Sequence, residues 1–375
     1  MRDPTGNGVT RRAAIAAGML GMCATAARAV PATPLLAVPE VDSLSVQVVT
    51  DAATFGPFLE NLDLPGMKVL RAGNGGGPHS ARMSPHALLG EFGLSLLATS
   101  QRADRTRRVM VDFGYSREVL ANNLGLLGID PKDIDAAVLS HGHLDHYGGF
   151  AGLYGANPPA RALPLTVGGE ETFCERVAMV GNPPLIMGAL DRVALAKAGF
   201  DVRIDAAPRI IADQAFTTGV IPLDSFERAA IPTRMRPGVG CDRALLDPAK
   251  RDVTELADDG EHELATCYAV KGLGLVVIAS CSHRGVINSV RRAQAVSGID
   301  KVHAVIGGFH LVRPRTADEA RHTVAEFARI DPTWIIPMHC TGEVFIAEAL
   351  RLMPQKVVRS YVGSTFVFAR DPAPA

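Results

Sequence analysis

Apolar positions in this chain fall into short blocks of strand length that alternate with segments of helical spacing. Leu44–Val49, Gly93–Ala98, Arg108–Asp112 and Ala136–Ser140 predict strands, and Ser116–Leu127 predicts a helix. The last third repeats the rhythm. Gly274–Ala279 predicts a β-branched strand followed by a helix from about Val286 to Val296. Val302–Ile306 precedes a helix across Ala317–Ile330, Trp334–Pro337 precedes another near Glu343–Met353, and Val357–Phe368 predicts a closing strand. Alternating strands and helices imply an α/β protein whose sheets are covered by helices, a class that places functional residues at strand ends.

Two stretches depart from this pattern. Between about residues 150 and 261 the chain is rich in Pro and Gly and shows no titratable cluster, so it is read as an insertion that shapes a pocket without performing chemistry. Residues 1–29 read as processing information. Thr10-Arg11-Arg12 precedes the apolar run Ala13–Ala27, too short and alanine-rich to span a bilayer comfortably, and Ala27-Arg28-Ala29 offers a small-x-small cleavage site. The paired arginines resemble a twin-arginine signal, which implies the twin-arginine export machinery as a partner and a periplasmic or secreted destination. Residues 30–43, rich in Pro and Ala, are expected to be a linker, and the domain proper is expected over 44–370. No other stretch is long and apolar enough to be transmembrane, so stable membrane insertion is not expected.

Composition excludes some functions. With 375 residues, 47% apolar and 21% charged, the chain can bury a large core. Net charge is −1; the first 29 residues hold Arg2, Arg11, Arg12 and Arg28 against Asp3, so the remainder carries −4. That balance argues against nucleic acid as a partner, which normally calls for concentrated Lys and Arg. The six cysteines, Cys23, Cys174, Cys241, Cys267, Cys281 and Cys340, form no C-x-x-C pair, and no disulfide framework is needed to explain the fold.

The chemistry concentrates in Ser140-His141-Gly142-His143-Leu144-Asp145-His146, directly after an apolar strand. In a tight loop the first and third of these residues after Ser140, His141 and His143, can reach one metal ion while Asp145 and His146 reach a second. Imidazole nitrogen with carboxylate oxygen is a good ligand set for zinc.

This H-x-H-x-D-H string is also the signature of the metallo-β-lactamase superfamily, which the chain resembles further along its length. The resemblance implies an αββα sandwich: two mixed sheets covered by helices. Val111-Asp112-Phe113-Gly114 resembles the strand ending in Asp-x-Gly whose carboxylate supports ligand histidines from behind, which assigns that role to Asp112. Ile336-Pro337-Met338-His339 resembles the last ligand motif, making His339 a ligand of the second ion. Cys281-Ser282-His283 ends another strand and offers His283 as a further ligand; Gly307-Gly308-Phe309-His310 has the same form, and His310 stands between ligand, substrate contact and packed polar residue. Together with Thr218-Gly219-Val220-Ile221-Pro222 and His339-Cys340-Thr341-Gly342, these strings resemble the group named after the dihydropterin–ribofuranosylaminobenzene phosphate synthase of methanopterin biosynthesis.

The chain also departs from the superfamily. No bridging aspartate appears near Cys281 or His310, which leaves open a water or hydroxide alone, or a share of that coordination for His283 or His310. Phe92 stands where a histidine is expected, His262 in Glu261-His262-Glu263 reads as a surface residue, and Cys281 and Cys340 read as buried inert thiols.

The implied function is metal-dependent hydrolysis. Two divalent ions, zinc or alternatively manganese, would generate a metal-bound hydroxide that attacks an ester, lactone, amide or phosphoester of a small-molecule substrate. Asp145 is the expected proton acceptor, and Ser282 and Tyr147 are candidate substrate contacts. The rival class is a non-catalytic metal-binding or ligand-sensing protein, whose sign would be His262 and His310 both filling the metal sphere.

Overall fold

The computed structural model describes residues 36–55, 59–71 and 86–370. The export signal expected over 1–29 and the first part of the expected linker lie outside the described residues. Strands of the first half are β1 (Glu40–Val41), β2 (Ser43–Thr50), β3 (Leu62–Leu64), β4 (Met67–Leu70), β5 (Ser95–Arg102), β6 (Arg105–Val111), β7 (Ala136–Leu139), β8 (Leu163–Val167), β9 (Glu175–Ala178) and β10 (Leu185–Gly188). Those that follow are β11 (Phe200–Ile204), β12 (Arg209–Ile211), β13 (Ala215–Thr217), β14 (Thr233–Arg236), β15 (Leu256–Ala257), β16 (Thr266–Val270), β17 (Gly274–Ala279), β18 (Val302–Gly307), β19 (Trp334–Pro337) and β20 (Thr365–Ala369).

These strands build two large sheets. The first runs in the order β11-β8-β7-β6-β5-β2-β20-β4-β3, parallel from β11 to β6 and antiparallel beyond. The second runs β12-β13-β16-β17-β18-β19, with β17, β18 and β19 parallel and β1 added along β16. Their facing sides share one core. Val46, Val48, Leu96, Val109, Val111 and Val138 from the first sheet meet Val276, Ile278, Ile306 and Ile336 from the second, and all are essentially inaccessible to water. Each such side chain contributes on the order of 1.5–3 kcal/mol by burial.

Helices cover both outer faces. On the first sheet Met110, Ala137 and Leu139 point outward against Leu120 and Leu124 of α1 (Arg117–Leu127). On the second, Leu275, Val277 and Val305 point outward against Val290 of α5 (Val286–Ser297), Val324 of α6 (Ala317–Ile330) and Phe345 of α7 (Glu343–Leu352). The parallel strands are buried on both faces, which is why they read as unbroken apolar runs. The result is the αββα sandwich that the resemblance implies. The numbering α2 to α4 belongs to three short helices, Leu144–Tyr147, Arg192–Lys197 and Pro248–Arg251.

Three expectations need correction. Residues 36–43 are not merely linker: Glu40–Val41 pairs with β16, and Leu36 and Val38 pack on the second sheet's outer core. The stretch 150–261 is not merely an insertion, because β8 and β11 extend the first sheet and β12 and β13 the second. The strands β10-β9-β14-β15 form a separate sheet. The closing strand is shorter than 357–368, since Tyr361–Ser364 form a turn before β20. Among the described residues no helix is long and apolar enough to cross a membrane.

Candidate metal centre

Register between parallel strands delivers the site. Val111 of β6 lies beside Val138 of β7, so Asp112 and the loop from Ser140 leave the first sheet side by side. Ala279, Gly307 and Pro337 are aligned across β17, β18 and β19, so the loops bearing His283, His310 and His339 leave the second sheet at one level. Asp112, Ser282, His310 and His339 all adopt left-handed backbone angles, φ 58°, 63°, 41° and 49°. Such angles cost non-glycine residues on the order of 1 kcal/mol each and are held here by the sandwich around them.

The loop after β7 is fixed by its neighbours. Gly142 passes so close to Thr172 that a Cβ there would stand 2.3 Å from the Thr172 carbonyl oxygen, and its N–H donates to His262 Nε2 at 3.0 Å. The single turn of α2 then presents Asp145 and His146. Asp112 organises the whole loop from behind. Its Oδ1 accepts the Ser140 N–H at 2.7 Å, and its Oδ2 accepts the Ser140 hydroxyl and His146 Nδ1, both at 2.8 Å.

Five histidines and one aspartate form two triads of potential ligands. His141, His143 and His283 make the first; Asp145, His146 and His339 make the second, and within each the ligand atoms lie within 4.8 Å of one another. Hydrogen bonds fix which ring nitrogen faces inward. His141 Nδ1 meets Ser140 Oγ at 2.9 Å, His143 Nε2 meets Thr233 Oγ1 at 3.1 Å, and His283 Nδ1 meets the Ala230 carbonyl at 3.4 Å. Each ring therefore donates backward and leaves its other nitrogen, with its lone pair, for the centre. His141 Nε2 and His283 Nε2 are buried with no hydrogen-bond partner, and His146 Nε2 faces His339 Nε2 at 3.2 Å. Buried nitrogens without partners are costly in a protein that binds nothing there and fitting in one that binds cations. The donor set thus fits divalent metal ions, with zinc matching its nitrogen-rich first triad.

Electrostatics distinguish the triads. Burial, reinforced by neighbouring imidazoles, holds His141 and His283 well below the ordinary histidine range, so both rings are neutral. Burial also lowers His143, against the pull of Asp258. In the second triad burial would raise Asp145, but His146 and His339 outweigh it and hold the carboxyl below its usual range. Burial would lower His339, yet Cys340 and Asp145 carry it well above normal. The second triad is thus a place that draws positive charge.

The remaining expected residues fall as follows. His310 joins neither triad; its ring lies 4.2 Å from that of His283, and with Cys281 and Cys340 it forms a third buried group. Ser282 is not free to contact substrate, because its buried hydroxyl donates to the Gly308 carbonyl at 2.8 Å. Tyr147 packs its ring in the first sheet's outer core, and burial pushes its hydroxyl up to about 12, so it stays a proton donor. His262 is not on the surface: it is buried behind the loop, where it accepts the Gly142 N–H.

The stretch 150–261 does hold a titratable cluster, contrary to expectation. Thr233 Oγ1 donates to Asp258 at 3.3 Å while meeting His143, and Arg176 Nε pairs with the same Asp258 oxygen at 2.9 Å. Burial opposes the charge on Asp258, but Arg176 and His143 hold it well below the usual carboxylate range. Arg176 is fully buried and also donates to the carbonyls of Glu171 and Cys174. Cys174 forms a disulfide with Cys241 that the sequence did not reveal. Two more carboxylates hold the backbone beside the triads: Asp51 accepts the His339 N–H at 3.0 Å, and Glu263 accepts the N–H groups of His283 and Arg284 at 2.8 and 2.7 Å. Asp51 ends an apolar strand just as Asp112 does, a signal that could have found it; Asp258 and Arg176 carry none.

Residues 93–184 match the family model of the metallo-beta-lactamase superfamily, and the chain carries a metallo-β-lactamase domain. Over 258 residues it is 28% identical to the 7,8-dihydropterin-6-methyl-4-(beta-D-ribofuranosyl)-aminobenzene-5'-phosphate synthase of Methanocaldococcus jannaschii, covering 67% of this chain and 81% of the relative. An uncharacterized protein of the same organism is 27% identical over 238 residues, which cover 63% of this chain and 80% of that one. Among solved structures, a metal-dependent hydrolase of the beta-lactamase superfamily superposes with a TM-score of 0.61 at 21% identity, covering 86% of this chain and 98% of the other.

Proposed function

We propose that this protein is an exported dinuclear metal-dependent hydrolase acting on an ester, lactone, amide or phosphoester bond of a small molecule, with zinc as its ion and manganese as the alternative. The observation that carries the reading is the pair of triads, with buried ring nitrogens turned inward and partners fixed behind them. When bound, two ions supply an acidified water and polarise the bond under attack. His141, His143 and His283 would hold the first ion, and Asp145, His146 and His339 the second. In this reading Asp145, which His146 and His339 keep ionised, would take the proton released as the water is consumed. In this reading the Tyr147 hydroxyl, which burial keeps protonated at neutral pH, would be the donor to substrate.

Export through the twin-arginine machinery rests on the N-terminal residues, and the Cys174–Cys241 disulfide supports an oxidising destination. The name of the 28% identical relative suggests a phosphorylated pterin precursor, but an exported protein is poorly placed for cofactor biosynthesis. The non-catalytic reading expected His262 and His310 in the metal sphere; His262 instead accepts a backbone N–H from the loop.

The test is elemental analysis of the purified protein beside His143→Ala and His283→Ala, with ester, lactone and phosphodiester substrates. About two ions per chain, lost together with turnover in the variants, is the expected result. Metal binding without turnover of any of these substrates would favour the non-catalytic reading, and turnover that survives metal removal would sink the metal-dependent one.

A further inference from the structure

The small sheet β10-β9-β14-β15 stands beside the first triad and carries a hairpin of unusual composition. Val177–Leu190, which supplies the end of β9, all of β10 and the turn between them, holds no charged residue. Four of its apolar side chains, Met179, Val180, Leu185 and Ile186, are more than half exposed. Hairpin turns are ordinarily polar, and a cluster of exposed apolar side chains marks a surface that meets an apolar partner.

Register decides which face looks toward the triads. Thr233 of β14 lies beside Ala178 of β9, and Ala178 lies beside Leu185 of β10. Residues at one register share a face, so the face that turns Thr233 Oγ1 to His143 Nε2 at 3.1 Å also carries Leu185, about 10 Å further on at roughly 4.8 Å per strand. Ile186 pairs with Val177, and Val177 with Arg234, which puts Ile186 on the opposite face. Both Leu185 and Ile186 are 61% exposed. The segment Ala229–Pro232 before β14 is uncharged too and continues the apolar surface to the first triad. Ala230 donates its N–H to the His283 carbonyl at 3.0 Å, and its own carbonyl meets His283 Nδ1 at 3.4 Å. A Cβ on Gly260 would stand 2.8 Å from Ile231 Cδ1 and 3.8 Å from His283 Cβ, which sets Ile231 near that histidine. The Pro232 carbonyl then accepts the Met179 N–H at 3.0 Å. Arg176 shares the face with Leu185, but it is fully buried and paired with Asp258, so it offers no free charge to an anionic group.

We propose that Leu185 and Ile231 seat an uncharged apolar chain attached to the bond under attack, so that the substrate is an ester or lactone of a medium-length acyl group. The inference rests on the hydrolase reading above and narrows it. The reacting carbonyl lies at the triads, and the chain runs along the sheet face past Thr233 toward Leu185; a short acyl group ends before reaching it. In the reaction water adds across the acyl C–O bond: the acyl carbon keeps the hydroxyl and the alcohol oxygen takes the proton.

The test uses the full chain loaded with zinc and compares p-nitrophenyl acetate, butyrate and octanoate, with bound metal measured alongside. From butyrate to octanoate kcat/KM is expected to rise at least about tenfold, at about twofold per methylene for a chain partly removed from water. Leu185→Asn should remove most of that rise through KM at unchanged metal content, and Leu185→Met should keep it. Ile186→Asn, equally exposed on the other face, should leave the rise intact. Independently of turnover, 1-octanol added to the zinc-loaded protein should shift the methyl NMR signals of Leu185 and Ile231 but not those of Ile186. Metal-dependent hydrolysis with equal kcat/KM for butyrate and octanoate would overturn the inference and leave the hydrolase reading standing. So would a rise that Leu185→Asn and Ile186→Asn reduce alike, or binding to phosphatidylcholine vesicles that both variants lose without any chain preference, which would make the hairpin a membrane contact. Cleavage of a phosphodiester with none of the three esters turned over would likewise overturn this inference alone. Hydrolysis of neither class would bring down the hydrolase reading and this inference with it.

Discussion

Replacing Asp112 by Asn changes one atom of the site and should cost the second metal ion specifically. Asparagine tolerates the left-handed backbone at this position (φ 58°), so the substitution adds little strain. Its oxygen can still accept the Ser140 N–H. The amide NH2 then stands where Oδ2 accepted His146 Nδ1 at 2.8 Å, and two donors face each other. The conflict is relieved if His146 moves its proton to Nε2, the nitrogen that faces His339 and would ligate the ion. Losing such a supporting carboxylate typically weakens metal binding 10–100-fold, about 1.4–2.7 kcal/mol. The first triad should be affected less, since Asp112 reaches it only through the Ser140 hydroxyl. Chelator competition on the zinc-loaded protein should therefore show one site near its original affinity and one weakened within that range, and nitrogen NMR should show the His146 tautomer reversed. Two ions held at unchanged affinity, or loss of the first ion with the second intact, would refute the reasoning.

Other perturbations probe the scaffold. Cys174 and Cys241 are 67 residues apart, so Cys174→Ser with Cys241→Ser should lower stability by about 4 kcal/mol through unfolded-state entropy; a loss below about 1 kcal/mol in urea unfolding would contradict this. Gly142→Ala places a Cβ against the Thr172 carbonyl and should cost about 1–3 kcal/mol together with bound metal, whereas an alanine variant with full metal content and unchanged Tm would show that the loop can move. His303 is buried and donates to the Gly66 carbonyl, and burial pushes it down to about 4 from an ordinary 6.5. Between those values the unfolded chain binds a proton that the folded one refuses, so stability is full above pH 6.5 and falls as pH drops toward 4. By pH 4.5 the loss from this group should reach about 2–3 kcal/mol, and His303→Gln should flatten the dependence in urea titrations at the two pH values.

The α/β class and half of the candidate site were written locally. Runs such as Val277-Ile278-Ala279 and Ala136-Ala137-Val138 declare buried strands because adjacent residues share one periodicity, and His141 to His146 declare a metal site because the ligands sit within a single loop. His339 was singled out by the resemblance of its strand end to a ligand motif, and His283 because it ends another strand of the same kind. What the sequence could not state was partnership across distance. Strands β8 and β11 to β13 are short and lie among Pro and Gly, and they join the sandwich through pairing that no local pattern encodes. Thr233, Asp258 and Arg176 are ordinary residues until β9, β14 and the segment after β15 bring them behind His143. Cys281 and Cys340, 59 positions apart, each looked like an inert thiol in a strand end; only the shared register of β17, β18 and β19 sets their sulfurs together beside the histidines. Secondary structure follows from neighbours along the chain, whereas the polar atoms that orient a ligand come from wherever the packed sheets place them.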